Sequence, residues 1–179
     1  KYFKISNSGG PAYPRNIAIK NAIGRYLCIL DSDDIFTKDK ILTLSKFIYN
    51  YTPDIIWHPL LKYNTNNIWQ SLIVNRVKFN SDFLKSLIYF GNFIPNSSLC
   101  IKTELIRELK LEYNTNSEFI AWEDYDLLLR IAINKNDLKL FFVNKFLGFY
   151  ETGCNTISSN LQRRRRIIKA FVRNYGHLL

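Results

Sequence analysis

The run "RYLCIL", residues 25–30, empties directly into "DSDD", residues 31–34. A near-continuous apolar stretch of this kind reads as a strand buried on both faces of a parallel sheet. It puts Asp31 just beyond the strand's carboxyl end, where open α/β sheets collect their ligands. Helix signals bracket the strand. Pro14 suits a first helical position and Gly24 a position just past a helix end, so a helix is expected between them. Thr37 is expected to cap a second helix over 38–50.

The rest of the pattern is of the same mixed kind. Residues 1–5, "KYFKI", read as the end of a strand, and "SNSGGPAY" as a loop. Short strands are expected near 54–58 and 68–75, a helix near 81–89, and a helix over 103–109 capped by Thr103. A helix should open at Glu123 and run to about residue 134, with strands near 139–143 and 146–150 and a last helix from Ile157 to Tyr175. Strand–helix–strand order at the front makes this an α/β protein with a mostly parallel mixed sheet flanked by helices. No repeat or Gly/Ser linker divides the 179 residues, which suit a single domain.

Asp31, Asp33 and Asp34 stand within four positions of a chain that is otherwise basic, with net charge +10 from 25 Lys+Arg and 15 Asp+Glu. Two carboxylates held ~4 Å apart repel by roughly 4 kcal/mol at an effective dielectric of about 20. Solvent, a basic side chain or a cation must offset that. A hard divalent ion, Mn²⁺ or Mg²⁺, would do so and would also carry the phosphates of a nucleotide. A polar loop with a helix cap accounts for the same residues. Arg15 precedes Ile19, Ala22 and Ile23 by helical spacings, so it lies on the face turned to the sheet and should emerge near the aspartates. A guanidinium beside a metal is what a pyrophosphate requires, although a surface Arg extending its charge to water reads equally well.

A second acidic site is "WEDYDLLLR", residues 122–130. Acidic residues in a first helical turn are favoured by the helix dipole, and Asp126 with Arg130 reads as an ordinary i,i+4 pair. Asp124 differs. It shares a face with Leu128 and Ile131, so it points inward, with Trp122 beside it as an apolar wall. Such a carboxylate is a candidate general base.

With both motifs in place, a family resemblance enters. "NSGGPAYPRNIAIKNAIGRYLCILDSDD" resembles the nucleotide-sugar half of family-2 glycosyltransferases of the GT-A fold, and "EDYDLLLR" resembles their acceptor-side E-D motif. Order and spacing match over roughly residues 5–150. The resemblance implies that Arg15 and Asp31 contact the nucleotide and that Asp33 binds a metal bridging the sugar diphosphate. Asp34 is a further metal or nucleotide candidate. Asp124 would be the base on the acceptor hydroxyl, with Glu123 as the alternative. The implied reaction is an inverting single displacement in which a nucleotide-sugar gives one sugar to a glycan or lipid-linked acceptor.

The chain departs from the family in three places. Nothing corresponds to the opening strand and turn that hold the nucleotide base, and there is no Met, so the expectation is a chain lacking its first βα unit or more. "YETGCNTISS" has no His where many relatives carry one; His177 does not fit that place, and His58 in "IIWHPLL" reads as structural. "QRRRR", residues 162–166, lacks the Trp of the Q-x-x-R-W signature of processive synthases, which points to a single-sugar transferase. The Asn-, Ile- and Lys-rich composition, associated with AT-rich bacterial genes, suggests surface-glycan synthesis.

The same arginines belong to a basic helix over 157–176 with an apolar stripe. A docked helix with a solvated basic side is the favoured reading. The functional reading is peripheral contact with anionic lipid through Arg163, Arg164, Arg165, Arg166, Lys169 and Arg173. The rival class is a non-catalytic basic domain that binds nucleic acid or anionic surfaces. No nucleic-acid partner is expected, because the basic run has no interleaved aromatics. No apolar run approaches the ~18 residues of a spanning helix. Cys28, Cys100 and Cys154 are odd in number and widely spaced, so neither a disulfide framework nor a zinc site is indicated. A reducing, cytoplasmic setting fits, with contact at the inner face of the membrane.

Overall fold

Along the chain run α1 (Ala12–Asn21), β1 (Tyr26–Cys28), β2 (Ile35–Phe36), α2 (Lys40–Tyr51), β3 (Ile55–Trp57), β4 (Leu60–Asn64) and β5 (Asn67–Ile73). They are followed by α3 (Phe83–Phe90), β6 (Cys100–Lys102), α4 (Thr103–Glu108), α5 (Glu123–Asn134), β7 (Leu140–Phe142), β8 (Gly148–Glu151) and α6 (Leu161–Tyr175). The computed structural model describes residues 1–64, 67–73, 82–151 and 161–178. The expected strand end at 74–75 and the expected helix start at Ile157 lie outside the described residues.

Strand alternation builds the layers. Ile55 and Trp57 of β3 and Ile101 of β6 pack with Leu87 of α3, Leu105 of α4 and Leu128 of α5. Their neighbours Ile56 and Cys100 face the opposite way, onto Leu44 of α2 and Leu147. Helices therefore cover both faces of the first sheet, as the period-2 pattern demands. That sheet has the order β1-β6-β3-β7, and a second sheet has the order β2-β8-β4-β5.

The α/β class and the mixed sheet hold, but the predominance of parallel pairing does not. Among the described residues only β3–β7 and β4–β8 are parallel. The reason is β6, which runs antiparallel between β1 and β3. β1 pairs with β6 alone among the described strands, so it is a half-exposed edge rather than a strand buried on both faces. Residues 1–8, expected to begin with a strand end, are exposed and outside any strand.

Four helix ends differ from expectation for local reasons. α1 begins at Ala12, and Pro14 sits within its first turn, where a missing N–H costs nothing. It ends three residues before Gly24, and Arg107 Nη2 donates to the freed Ala22 carbonyl at 2.7 Å. Thr37 does not cap α2; its hydroxyl donates to Asp39 Oδ1 at 2.8 Å, and Asp39 holds the cap position. Thr103 is already helical and donates to the Gly24 carbonyl at 2.6 Å.

The last helix docks by an apolar stripe centred on Ile167 and Ala170, with Ile168 turned outward. Ile167, Ala170 and Tyr175 are buried, while Arg165, Arg166, Lys169 and Arg173 are exposed. Phe171 stacks on Tyr125 of α5 with centroids 5.8 Å apart. Tyr175 Oη donates to Asp126 Oδ1 at 2.5 Å, and Arg130 Nε donates to Asp126 Oδ2 at 2.8 Å. Asp126 is only 3% exposed. The pair read as an ordinary i,i+4 contact is thus part of a buried lock between α5 and α6. Removing one partner from a charged buried acceptor costs roughly 1.5–3 kcal/mol. Tyr175→Phe is expected to lose about that much in a urea titration, and an unchanged midpoint would show that the lock carries nothing.

Candidate active site

The two acidic motifs, about ninety residues apart in sequence, meet on one guanidinium. Arg15, in the first half of α1, has a side chain 14% exposed; its Nη1 donates to Glu123 Oε1 at 2.6 Å and its Nη2 to Asp31 Oδ1. The Tyr113 ring lies 5.2 Å from Arg15 Cζ and closes the site from below. Burial works against the Arg15 charge, but Asp31, Tyr113 and Glu123 outweigh it and hold the guanidinium above its ordinary value. Arg15 is thus already occupied by protein carboxylates.

Asn96 and Tyr113 extend the network. Asn96 Nδ2 donates to Asp31 Oδ1 at 3.0 Å, and Tyr113 Oη donates to Asn96 Oδ1 at 3.1 Å. Asn16, next to Arg15 on α1, pins the Tyr113 backbone with bonds of 2.8 and 2.7 Å. The Asp31 amide donates to Ser97 Oγ at 2.9 Å, and Lys40 Nζ donates to the Ser97 carbonyl at 2.8 Å. Lys40 is fully buried beneath the Phe36 ring, and burial pushes its ammonium down to about 8. These residues went unread in the sequence. Lys40 carried one signal, its i,i+4 spacing to the buried Leu44.

Glu123 and Asp124 occupy unlike environments. Both Glu123 oxygens are taken, one by Arg15 and one by the Ala121 amide at 2.7 Å. Ala121 sits at φ +76°, a costly conformation for a residue with a Cβ, and that amide bond helps to hold it. Asp124 is half-buried and has no cation on it among the described residues. Among the described residues its oxygens accept only from Asn92 Nδ2 at 2.9 Å and from the Tyr125 amide at 2.8 Å. Burial, then the nearby Glu123 charge, push its carboxyl up to about 7. Trp122, expected as its apolar wall, packs edge-on against Tyr125 and Phe171.

The aspartates of the first motif also separate. Asp33 is exposed, and its carbonyl accepts from Tyr63 Oη at 3.0 Å. Asp34 is 8% exposed; its Oδ1 accepts from the Glu151 amide at 3.0 Å and fastens the end of β8, while its Oδ2 has no partner among the described residues. Burial raises the Asp34 carboxyl above its ordinary value. No group of three His, Cys, Asp or Glu side chains converges among the described residues. Mg²⁺ and Mn²⁺ sites of the phosphate-carrying kind need only one or two carboxylates plus water and phosphate oxygens. An exposed Asp33 beside an unpartnered Asp34 Oδ2 fits that donor set. His58 is fully buried, its Nδ1 donates to the Pro59 carbonyl at 2.9 Å, and burial pushes it down to about 3, a structural role as expected.

A mixed α/β sheet that brings an acidic loop and an E-D helix start to one crevice is the architecture of a GT-A glycosyltransferase domain. The chain belongs to glycosyl transferase family 2, whose family model matches residues 1–109. An uncharacterized glycosyltransferase of Methanocaldococcus jannaschii is 25% identical over 151 residues, covering 83% of this chain and 49% of that protein. A poly(ribitol-phosphate) beta-N-acetylglucosaminyltransferase, TarS of Staphylococcus aureus, is 34% identical over 67 residues, 37% of this chain and 12% of that protein. The crystal structure of TarS 1-349 in complex with UDP-GlcNAc superimposes with a TM-score of 0.65 at 20% identity, over 93% of this chain and 48% of that chain. The chain therefore spans about half the length of the archaeal relative and of the solved structure.

Proposed function

We propose that the protein transfers a single sugar, with inversion, from a nucleoside-diphosphate sugar to a hydroxyl of a glycan or lipid-linked acceptor in bacterial surface-glycan synthesis. The observation that carries this reading is the division of labour at α5. Glu123 is locked to Arg15, while Asp124 keeps a carboxylate that pairs with no cation among the described residues and whose proton affinity lies near neutrality. That is the environment a general base needs. Asp124 takes the proton of the acceptor hydroxyl as it attacks the anomeric carbon from the face opposite the nucleotide. Arg15 positions Asp31 and Glu123 and places positive charge beside the departing diphosphate. Asp31 and Arg15 border the nucleotide, and Asp33 with Asp34 would hold Mn²⁺ or Mg²⁺, which supplies charge neutralisation on the diphosphate. The likeness to a solved protein bound to UDP-GlcNAc supports a nucleotide-sugar donor.

Asp33→Ala in the full-length protein is expected to abolish metal-dependent turnover while leaving the fold intact, because an exposed carboxylate packs against nothing. Unchanged turnover in saturating Mn²⁺, or full activity in EDTA, removes Asp33 from the metal role.

A peripheral contact with anionic lipid is supported by the outward face of α6. Arg165, Arg166 and Lys169 are exposed beside Ile168 and Val172, which are 55% and 54% exposed. Arg173 instead pairs with Glu118, and the side chains of Arg163 and Arg164 lie outside the described residues. Charge-reversing Arg165, Arg166 and Lys169 to Glu is expected to release the protein from phosphatidylserine vesicles in a flotation assay. Retained binding would refute the contact, and equal affinity for RNA at the same salt would favour the basic-domain alternative.

A further inference from the structure

Two of the three cysteines, 72 residues apart in sequence, face each other across adjacent strands. Cys28 of β1 is opposite Cys100 of β6, with their sulfurs 2.8 Å apart. The hydrogen bonds on either side define what kind of pair this is. The Ile29 amide donates to the Leu99 carbonyl at 3.2 Å, and the Thr103 amide donates to the Arg25 carbonyl at 2.9 Å. Alternate positions of an antiparallel ladder are hydrogen-bonded, so 25/103, 27/101 and 29/99 are the bonded pairs. Cys28/Cys100 then falls on a non-hydrogen-bonded pair. That class has the closer Cα atoms, about 4.5 Å apart, with side chains leaning together. The distance lies inside the window that a disulfide spans. Both sulfurs lie on the sheet face covered by α2, where Lys40 is buried.

We infer that Cys28 and Cys100 form a reversible dithiol–disulfide site that covalently joins the edge strand β1 to β6. Widely spaced cysteines gave no sign of this in the sequence, because the pairing depends on ladder register. Cys28 is half-buried and reachable, whereas Cys100 is fully buried. The Cys28 thiol is lowered by its hydrogen bond with Cys100 and by the Lys40 charge, and Cys100 is raised, so the reachable sulfur is the better thiolate. With a peroxide as oxidant, the Cys28 thiolate attacks one oxygen, the O–O bond breaks, and hydroxide leaves a sulfenic acid. The Cys100 sulfur then attacks the Cys28 sulfur, the S–S bond forms and hydroxide departs. The two thiol protons and the two hydroxides make two waters, and the thiols give up two electrons. Asp31 stands three residues after Cys28 and Ser97 three before Cys100, and these are themselves joined by the Asp31 amide. The cross-link therefore fastens the base of the crevice, whatever reaction the crevice performs.

The experiment is peptide mapping of the native full-length protein after hydrogen peroxide, with and without later dithiothreitol. The expected product is one cross-linked peptide pair holding Cys28 and Cys100, lighter by two hydrogens, with both thiols regained on reduction. Exchange of the Ile29 amide should slow in the oxidised form. In Cys100→Ser, with folding checked by circular dichroism, Cys28 should pass on to sulfinic acid. Both thiols still alkylatable after peroxide would overturn the inference. So would sulfinic acid at Cys28 in the parent, or Cys28 joined to Cys154 or to another molecule.

Discussion

Asp124→Asn in the full-length protein is expected to lower kcat by roughly 10²–10⁴, the range for loss of a general base. The amide keeps the shape of the side chain and one oxygen, which can accept from Asn92 or from the Tyr125 amide but not from both, so donor affinity should hold. The pH profile sharpens the test. A base whose carboxyl sits at about 7 is protonated below that value, so kcat/KM of the parent should rise through about pH 7 and then level. Asp124→Asn should flatten that limb. Stability should move the opposite way. A carboxyl raised in the folded state favours folding below its unfolded value of ~3.9, and the contribution is lost as pH rises through about 7. Above pH 7 the parent must keep a half-buried charge, and Asp124→Asn need not. The variant should therefore be slower and more stable at pH 8, a trade that marks a functional carboxylate. If Glu123→Gln gives the large kcat loss and Asp124→Asn does not, the base is the other neighbour. Matching losses of donor affinity would place Asp124 in the nucleotide site.

Much of this was open to reading because local chemistry agreed with the fold. α5 begins at Glu123 and ends at Asn134 as its acidic first turn and apolar stripe require. The burial of Asp34 and Lys40, and the partnership of Asp126 with Tyr175, were closed to the sequence because each depends on an element far along the chain. Asp34 is oriented by Glu151, Lys40 by Ser97 and Asp126 by α6. Sheet direction was misread for a related reason. An apolar hexamer tells how much of a strand can be covered, and not which neighbour covers it. Here β6 arrives antiparallel and leaves β1 at the edge. Arg15 was placed at the crevice by helical spacing, yet its partners came from both motifs at once. Spacing along a single helix carries no information about that.

Arg15→Met is expected to be the most destabilising single change at the site, by about 3–5 kcal/mol in a denaturant titration. That is the usual loss when one member of a buried ion pair is removed. The guanidinium holds two carboxylates, and Glu123 beneath it is 3% exposed. Taking the cation away strands that charge in a poorly solvated place, and leaves Asp31 and Asp124 to repel it. Arg15→Lys should recover little, since one ammonium lacks the planar fork that reaches Glu123 and Asp31 together. The cause can be separated from lost packing by a second substitution. If the damage is an uncompensated charge, Glu123→Gln in the Arg15→Met background should restore part of the stability, although by itself it breaks a hydrogen-bonded pair. Additive losses in the double variant would show instead that Arg15 acts through its stem and its contact with the Tyr113 ring. An unchanged midpoint in Arg15→Met would mean that the two motifs meet without needing the cation between them, and Arg15 would then be free to serve the nucleotide alone.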